Sequence, residues 1–263
     1  MDLGLKGKTA IVTGGARGIG RAIALTLGDE GTNVVIGDLD EERGARVADE
    51  IASKGAGSLM VRTDVTKLED AKRLAQATLD KFGDIDLLVN DAGVWVIKRF
   101  AELTPQEWDK EISVCYYGVL NCVKAIVDYM IEQKKGNIIS IASDAGRVGE
   151  PNEPVYSGAK AAVIGFTKGL AKDLGRYGIR VNAVAPSMTW NDEMAAEQDE
   201  AKAKGGEDWE KYGARMTKIL KFYPLRKLGI PQDVAEMVVF LASERCGHIT
   251  GQTISVNGGY CMI

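Results

Sequence analysis

Along this chain, short runs of aliphatic and β-branched residues alternate with stretches in which apolar positions recur every three or four residues. The runs are "KTAIVT" (8–13), "NVVIGD" (33–38), "SLMVRTD" (58–64), "DLLVN" (86–90), "NIISIAS" (137–143), "RVNAVAP" (180–186) and "TISVNGG" (253–259). They read as strands, and segments such as "GRAIALTLGDEG" and "EDAKRLAQATLDKFG" carry the helical period between them. Seven apolar strands separated by helices predict a doubly wound parallel sheet in an α/β fold, with helices on both faces. No repeat or linker-like stretch divides the chain, so residues 1–263 are expected to form a single domain.

Two segments need separate comment. Residues 189–222 are charged, Met-rich and helix-prone, and they follow the carboxyl end of a strand, where such sheets bind ligands. A mobile helical lid over a substrate is expected there; a solvated insertion or an oligomer contact is the alternative. "EISVCYYGVLN" (111–121) lies within what reads as one long amphipathic helix, and it sets Cys115 beside Tyr116 and Tyr117.

Composition narrows the chemistry. The formal net charge is -4 and Lys and Arg are scattered, which argues against nucleic acid or an anionic membrane as partner. The N-terminus has an acid at position 2 and too short an apolar run for a signal peptide or a span. Cys115, Cys122, Cys246 and Cys261 form no C-x-x-C pair, and the sole histidine, His248, lies in a turn-like sequence. No metal site is expected, and a cytoplasmic setting is. A Ser-His-Asp or Cys-His hydrolase would rest on His248 alone.

The first strand runs into "TGGARGIG" (13–20) and then a helix. Gly14, Gly18 and Gly20 permit a tight turn and let a diphosphate approach backbone N–H groups at a helix N-terminus. Asp38 closes the second strand, where a carboxylate binds a ribose diol and repels a 2′-phosphate. NAD is therefore expected over NADP, although Arg17 in the turn is placed to pair with such a phosphate. Asp38 or Asp40 also suits a helix N-cap. Asp64 suits either a bond to adenine or a cap. "NDAG" (90–93) has small residues that let backbone lie against a cofactor.

At the other end, Ser143 follows the fifth strand, and Tyr156 and Lys160 stand at i and i+4 in "YSGAK", on one helix face. A lysine ammonium beside a phenol lowers its pKa from about 10 toward working pH, as an acid–base residue needs. A second Y-x-x-x-K, Tyr223 to Lys227, contains Pro224 and makes a poor helix interior.

Together, "TGGARGIG", Asp38, "DV" (64–65), "NDAG", Ser143, "YSGAK", "RVNAVAPS" and "ITGQTISVNGG" resemble the classical short-chain dehydrogenase/reductase family over nearly the whole chain. The resemblance implies a seven-stranded Rossmann-type sheet and reversible hydride transfer between a secondary alcohol or ketone and a nicotinamide. It makes Tyr156 the proton donor or acceptor, Ser143 the carbonyl-orienting residue, and Lys160 the holder of the nicotinamide ribose. It further implies cofactor contacts from Gly14, Arg17, Gly18, Ile19, Gly20, Asp38, Leu39, Asp64, Val65, Asn90, Ala92, Gly93, Pro186 and Thr189, besides Tyr156 and Lys160. A homo-oligomer, tetramer or dimer, is the family's usual assembly.

The departures are Asp91 for the second Asn of "NNAG", Ser187 after Pro186, Asn191 for a cofactor-contacting threonine, and Cys115 at the asparagine of the catalytic tetrad. Cys115 keeps the backbone carbonyl used at that position and loses the amide, so a working enzyme with a modified proton relay is expected. Asn121 is too far along the helix to replace it. "NDAG", "ASDAGRVG" and the "GG" near the C-terminus are similar to 2-hydroxycyclohexanecarboxyl-CoA and 3-hydroxyacyl-CoA dehydrogenases. An alicyclic or 3-hydroxyacyl-CoA substrate is expected, with Arg147 meeting a carboxylate or CoA phosphate, or joining a surface salt bridge. The alternatives are an NADPH-dependent reductase of a carrier-bound 3-ketoacyl group and a non-catalytic NAD-binding partner subunit.

Overall fold

The computed structural model describes residues 2–263, the side chains of residues 192 and 193 apart. Seven strands form one parallel sheet: β1 (Thr9–Thr13), β2 (Asn33–Asp38), β3 (Ser58–Arg62), β4 (Leu87–Asn90), β5 (Gly136–Ile141), β6 (Ile179–Pro186) and β7 (Thr253–Val256). Their order across the sheet is β3-β2-β1-β4-β5-β6-β7, all neighbours pairing in parallel. The order reverses between β1 and β4, where Thr13 pairs with Asn90, and the carboxyl ends of the strands at such a switch point are where doubly wound sheets bind ligands.

Successive strand residues feed opposite layers, as the pleat requires. Ala10, Val12, Leu87, Val89 and Ile139 face α1 (Gly18–Asp29), α2 (Glu41–Ser53) and α10 (Pro231–Ala242). Ile11, Leu88 and Ile138 face α3 (Leu68–Phe82), α5 (Gly118–Gln133) and α7 (Pro154–Leu174). Each fully buried aliphatic side chain contributes about 1.5–3 kcal/mol of transfer free energy. Two such layers bind the sheet to the helices on both faces.

Several strands end earlier than the pattern suggests. β7 stops at Val256 because Gly258 and Gly259 adopt φ of 61° and 88°, a turn closed by the Gly259 amide on the Asn257 side chain. β3 stops at Arg62, and Asp64 turns instead, its carboxylate accepting from the Thr66 amide and hydroxyl.

The expected single long helix before β5 is α4 (Pro105–Ile112) and α5 joined by one wide π turn, Ser113–Tyr117. Among the described residues, the run Pro105–Gln133 has the length and composition of a membrane span. Its Val119, Cys122, Val123, Ile126 and Met130 are packed in the core, as in the core helix of a globular fold. After β6 come α8 (Asp192–Lys204) and α9 (Gly206–Leu220), which pack chiefly on each other and are clasped by the Arg215–Glu197 ion pair at 2.6 Å. The helical content expected of 189–222 is present.

Candidate active site

The glycine turn forms a cradle at the mouth of β1. A Cβ at Gly14 (φ 72°) would come within 2.8 Å of Ala92 backbone, and one at Gly20 within 2.2 Å of the Gly14 carbonyl oxygen. Only glycine fits either position. A side chain at Gly18 would meet open space. The first turn of α1 has no cap from its own N-cap side chain and no acidic residue, so it presents N–H groups and the positive end of the helix dipole to an anion. These features fit a dinucleotide diphosphate.

Asp38 borders the cradle. Its two carboxylate oxygens accept from the amides of Ala16 and Asp40, each at 3.0 Å, while Asp40 supplies the N-cap of α2. Arg17 and Leu39 are exposed and Ile19 packs partly into the core. On the other wall, the Thr13 hydroxyl receives the amides of Asp91 and Ala92 at 3.2 and 3.4 Å. Asn90 is buried, bonded to Ser140 at 3.3 Å.

Asp64 and Val65 are less direct. The Asp64 carboxylate is engaged by Thr66 and Lys67 in a turn ahead of α3, whose N-cap position is Lys67, so it does not cap that helix. Val65 is a core side chain under Gly118, and its carbonyl receives the Asn121 amide at 2.9 Å. That bond gives Asn121 a task away from the reacting groups. Pro186 ends β6, its carbonyl accepting from the Asp144 amide, while Thr189 bonds back to the Ser187 carbonyl and bridges to Gly229. Asn191 caps α8 through the Met194 amide.

The reacting groups converge from α7 and from the turn after β5. Lys160, buried on α7, lies 5.7 Å from the centre of the Tyr156 ring, and its Nζ donates to the Ile141 carbonyl at 2.6 Å. Ser143, two residues past β5, faces the Tyr156 hydroxyl. A Cβ at Gly146 would stand 2.6 Å from the Lys160 carbonyl carbon, so α6 (Ala145–Val148) rests directly on the α7 backbone. That contact fixes Ser143 against the Tyr–Lys face.

Electrostatics correct one expectation. Burial pushes the Tyr156 phenol above its usual pKa; Lys160 pulls it down but does not win. The Lys160 ammonium is itself held above its ordinary value, Tyr156 and Asp91 overcoming the cost of burial. At rest the site therefore holds a neutral phenol beside a cation.

Cys115 sits at the centre of the π turn, fully buried. Its thiol donates to the Val94 carbonyl at 3.1 Å and receives the Val94 amide at 3.4 Å. A group that both donates and accepts thus holds the strap that leaves Gly93. Glu111, one turn earlier and also buried, receives the Val96 amide at 2.7 Å, and the Lys98 amide bonds to the Asn152 carbonyl. Pinned at alternate residues, the strap leaves Trp95 and Ile97 exposed. Val148, at the end of α6, and Met188, on the loop after β6, are exposed and apolar as well.

Arg147 forms an ion pair, with the Asp144 carboxylate 4.0 Å away, but a shielded one rather than a surface bridge. Its side chain is shielded and donates to the main-chain carbonyls of Ile263, at 2.8 Å, and Thr253. Asp144 is buried and bonds to Ser255 (3.0 Å) and Asn257 (2.5 Å), and Glu150 accepts from the Tyr260 hydroxyl at 2.5 Å. The C-terminal segment therefore braces the loop that carries Ser143. These contacts join residues more than a hundred positions apart, and no local sequence signal marks them. The second Y-x-x-x-K is structural: Tyr223 is buried on Tyr260, ring centres 5.2 Å apart, and Lys227 is exposed.

Comparison with known proteins agrees with this geometry. A family model described as enoyl-(acyl carrier protein) reductase matches residues 14–261. The 3-oxoacyl-[acyl-carrier-protein] reductase FabG of Staphylococcus epidermidis is 38% identical over 256 residues, 97% of this chain and 99% of that one. FabG of Staphylococcus aureus is 39% identical over 256 residues, covering 97% of this chain and 98% of its own. The corresponding reductase of Synechocystis is 38% identical over 260 residues, 98% of each chain. The crystal structure of gox2181 superposes with a TM-score of 0.86 at 29% identity, over 97% of this chain and 96% of that one.

Proposed function

From the premise that the chain belongs to the short-chain dehydrogenase/reductase family, we propose that it interconverts a 3-oxoacyl thioester and its 3-hydroxyacyl form, with NAD(H) as cofactor. The chain is an oxidoreductase acting on a CH–OH or keto group. The observation that carries ketone reduction is the neutral Tyr156 phenol set between Ser143 and the buried Lys160 ammonium.

A bound nicotinamide dinucleotide supplies or accepts the hydride. Ser143 presents its hydroxyl to the substrate oxygen, and Tyr156 delivers a proton to that same oxygen. Lys160 stabilises the phenolate that remains, by charge across a site with little water. A phenol that stays protonated is poised to act as an acid, which is what ketone reduction asks of it.

The names of the relatives, 3-oxoacyl carrier reductases, favour an acyl thioester over the alicyclic substrate expected from sequence. Apolar Trp95, Val148 and Met188 suit an acyl chain. Arg147 is already engaged and offers nothing to a CoA phosphate. Asp38 favours NAD(H) over NADP(H), because its carboxylate faces the ribose end of the cradle. Open backbone along the outer face of α7, at Gly158, Gly165 and Gly169, suits close packing of a second copy; light scattering of the purified protein checks for that homo-oligomer.

One assay series tests the reading. Wild type is followed at the NADH absorbance with 3-oxoacyl thioesters on carrier and on CoA, alicyclic hydroxyacyl-CoA, sugars and steroids, with each dinucleotide in turn. Turnover of 3-oxoacyl thioesters with NADH is expected. Tyr156→Phe is expected to lose about 10²- to 10⁴-fold in rate while keeping NADH affinity. Good turnover of sugars or steroids with none of any thioester would refute the substrate assignment. A preference for NADPH would refute the role given to Asp38.

A further inference from the structure

We propose that Asp91 is a proton-linked gate on cofactor binding: its carboxyl takes up a proton when a dinucleotide diphosphate settles on the first turn of α1. The inference rests on the reading of the glycine turn as a nicotinamide-dinucleotide site.

Asp91 is the first residue beyond β4, at the point where the strand order reverses. Its amide is held by the Thr13 hydroxyl, so its backbone is fixed relative to the mouth of β1. The side chain turns toward α1. Asp91 Oδ2 lies 2.6 Å from the point that a Cβ on Gly20 would occupy, which puts the carboxyl directly against the first helical turn. That turn is the one left without a cap or an acid of its own. An anion attracted to these N–H groups and this carboxyl therefore compete for the same positive end of the helix dipole.

The charged groups facing Asp91 come from each neighbouring element. From α1, the Gly20 N–H favours the ionised form; from α7, Lys160 does so too, acting through space rather than as a close ion pair. From the end of β2, Asp38 opposes ionisation. Lys160 is shared, since it also serves Tyr156 and the Ile141 carbonyl. Burial outweighs the favourable contacts and pushes Asp91 up to about 7. The free protein thus holds this carboxyl half-ionised near neutrality.

An asparagine at this position would be indifferent to pH. The carboxyl has two states, and they differ in what they do to a diphosphate. Neutral, it leaves the helix end unopposed; ionised, it cancels part of the attraction. A bound diphosphate raises the carboxyl's pKa further, so the complex holds more protons than the free protein. By linkage, affinity is full below about pH 7 and falls as the pH rises through that value. It levels off once the bound-state carboxyl has also ionised. NADH brings no titrating group of its own to this range. Exposed His248, the sole histidine, precedes the edge strand β7, three strands across the sheet from β4.

The experiment measures NADH binding to the full-length protein by fluorescence and by calorimetry between about pH 6 and pH 8.5. For wild type, affinity is expected to fall roughly tenfold across this range. Calorimetry in two buffers of different ionisation enthalpy should show net proton uptake, largest just above neutrality. Asp91→Asn should bind with nearly constant affinity and no uptake. A wild-type affinity independent of pH, or the same slope in Asp91→Asn, overturns the role of Asp91 while leaving the dinucleotide site standing. No NADH binding at any pH overturns both. The two-buffer measurement on wild type decides the matter even if the variant folds poorly.

Discussion

Cys115 shows how one side chain can be replaced without losing its geometry. The amide expected at this position both donates and accepts, and so does a thiol, more weakly. The strap at Val94 is held through both functions. Cys115→Ser keeps a donor and an acceptor and is expected to stay near wild type, and Cys115→Asn to alter the rate only modestly. Cys115→Ala leaves the Val94 N–H and carbonyl without that partner, at a cost of about 1–3 kcal/mol. It should melt earlier yet turn over within about tenfold of wild type; a folded, NADH-binding but inactive Cys115→Ala protein would contradict this. No histidine stands near the thiol in sequence to act as its base, and its sulfur is already engaged by the Val94 amide and carbonyl.

Among the elements, the π turn and α6 carry the most consequence for the site. A π turn adds one residue to a helix and is common where a helix serves a site. Here it lies between two regular helices and puts Cys115 under the strap while Val119 and Cys122 stay on the core face. Periodicity could locate the helix but not the added residue, because a single inserted position barely disturbs the apolar repeat of "EISVCYYGVLN". The Tyr156–Lys160 pair and the glycine turn were legible for the opposite reason: their chemistry lies within one helix or one turn. The contact of Gly146 with α7 was not legible, since it joins two backbones. Gly146→Ala should force α6 off α7 and cost about 1–3 kcal/mol. It is also expected to lower kcat more than NADH affinity, because Ser143 moves relative to Tyr156 while the cradle does not. Equal losses in both would argue against this account.

At the scale of the whole molecule, strand number, order of chemistry along the chain and the switch point all follow from local patterns that the sheet then assembles. What escaped the sequence is the long-range wiring. Arg147 looked like a candidate for substrate or solvent, and the fold spends it, with Asp144 and Glu150, on residues 253–263. Deleting residues 260–263 removes the Tyr260 hydroxyl, the carbonyl that receives the Asn257 amide, and the carbonyl that receives Arg147. Such a protein should retain its sheet and bind NADH, but lose most of its turnover and resist heat less well. Full activity in the truncated protein would show that the brace is dispensable.

The same brace bears on how the protein comes into being. A ribosome delivers the glycine turn first, Ser143 and the Tyr–Lys helix midway, and the bracing residues last. Until residues 257–263 leave the exit tunnel, the loop carrying Ser143 has no Asn257, Tyr260 or Ile263 to lean on. The nascent chain can therefore shape its dinucleotide cradle early, whereas the reacting end is finished only once these residues have emerged.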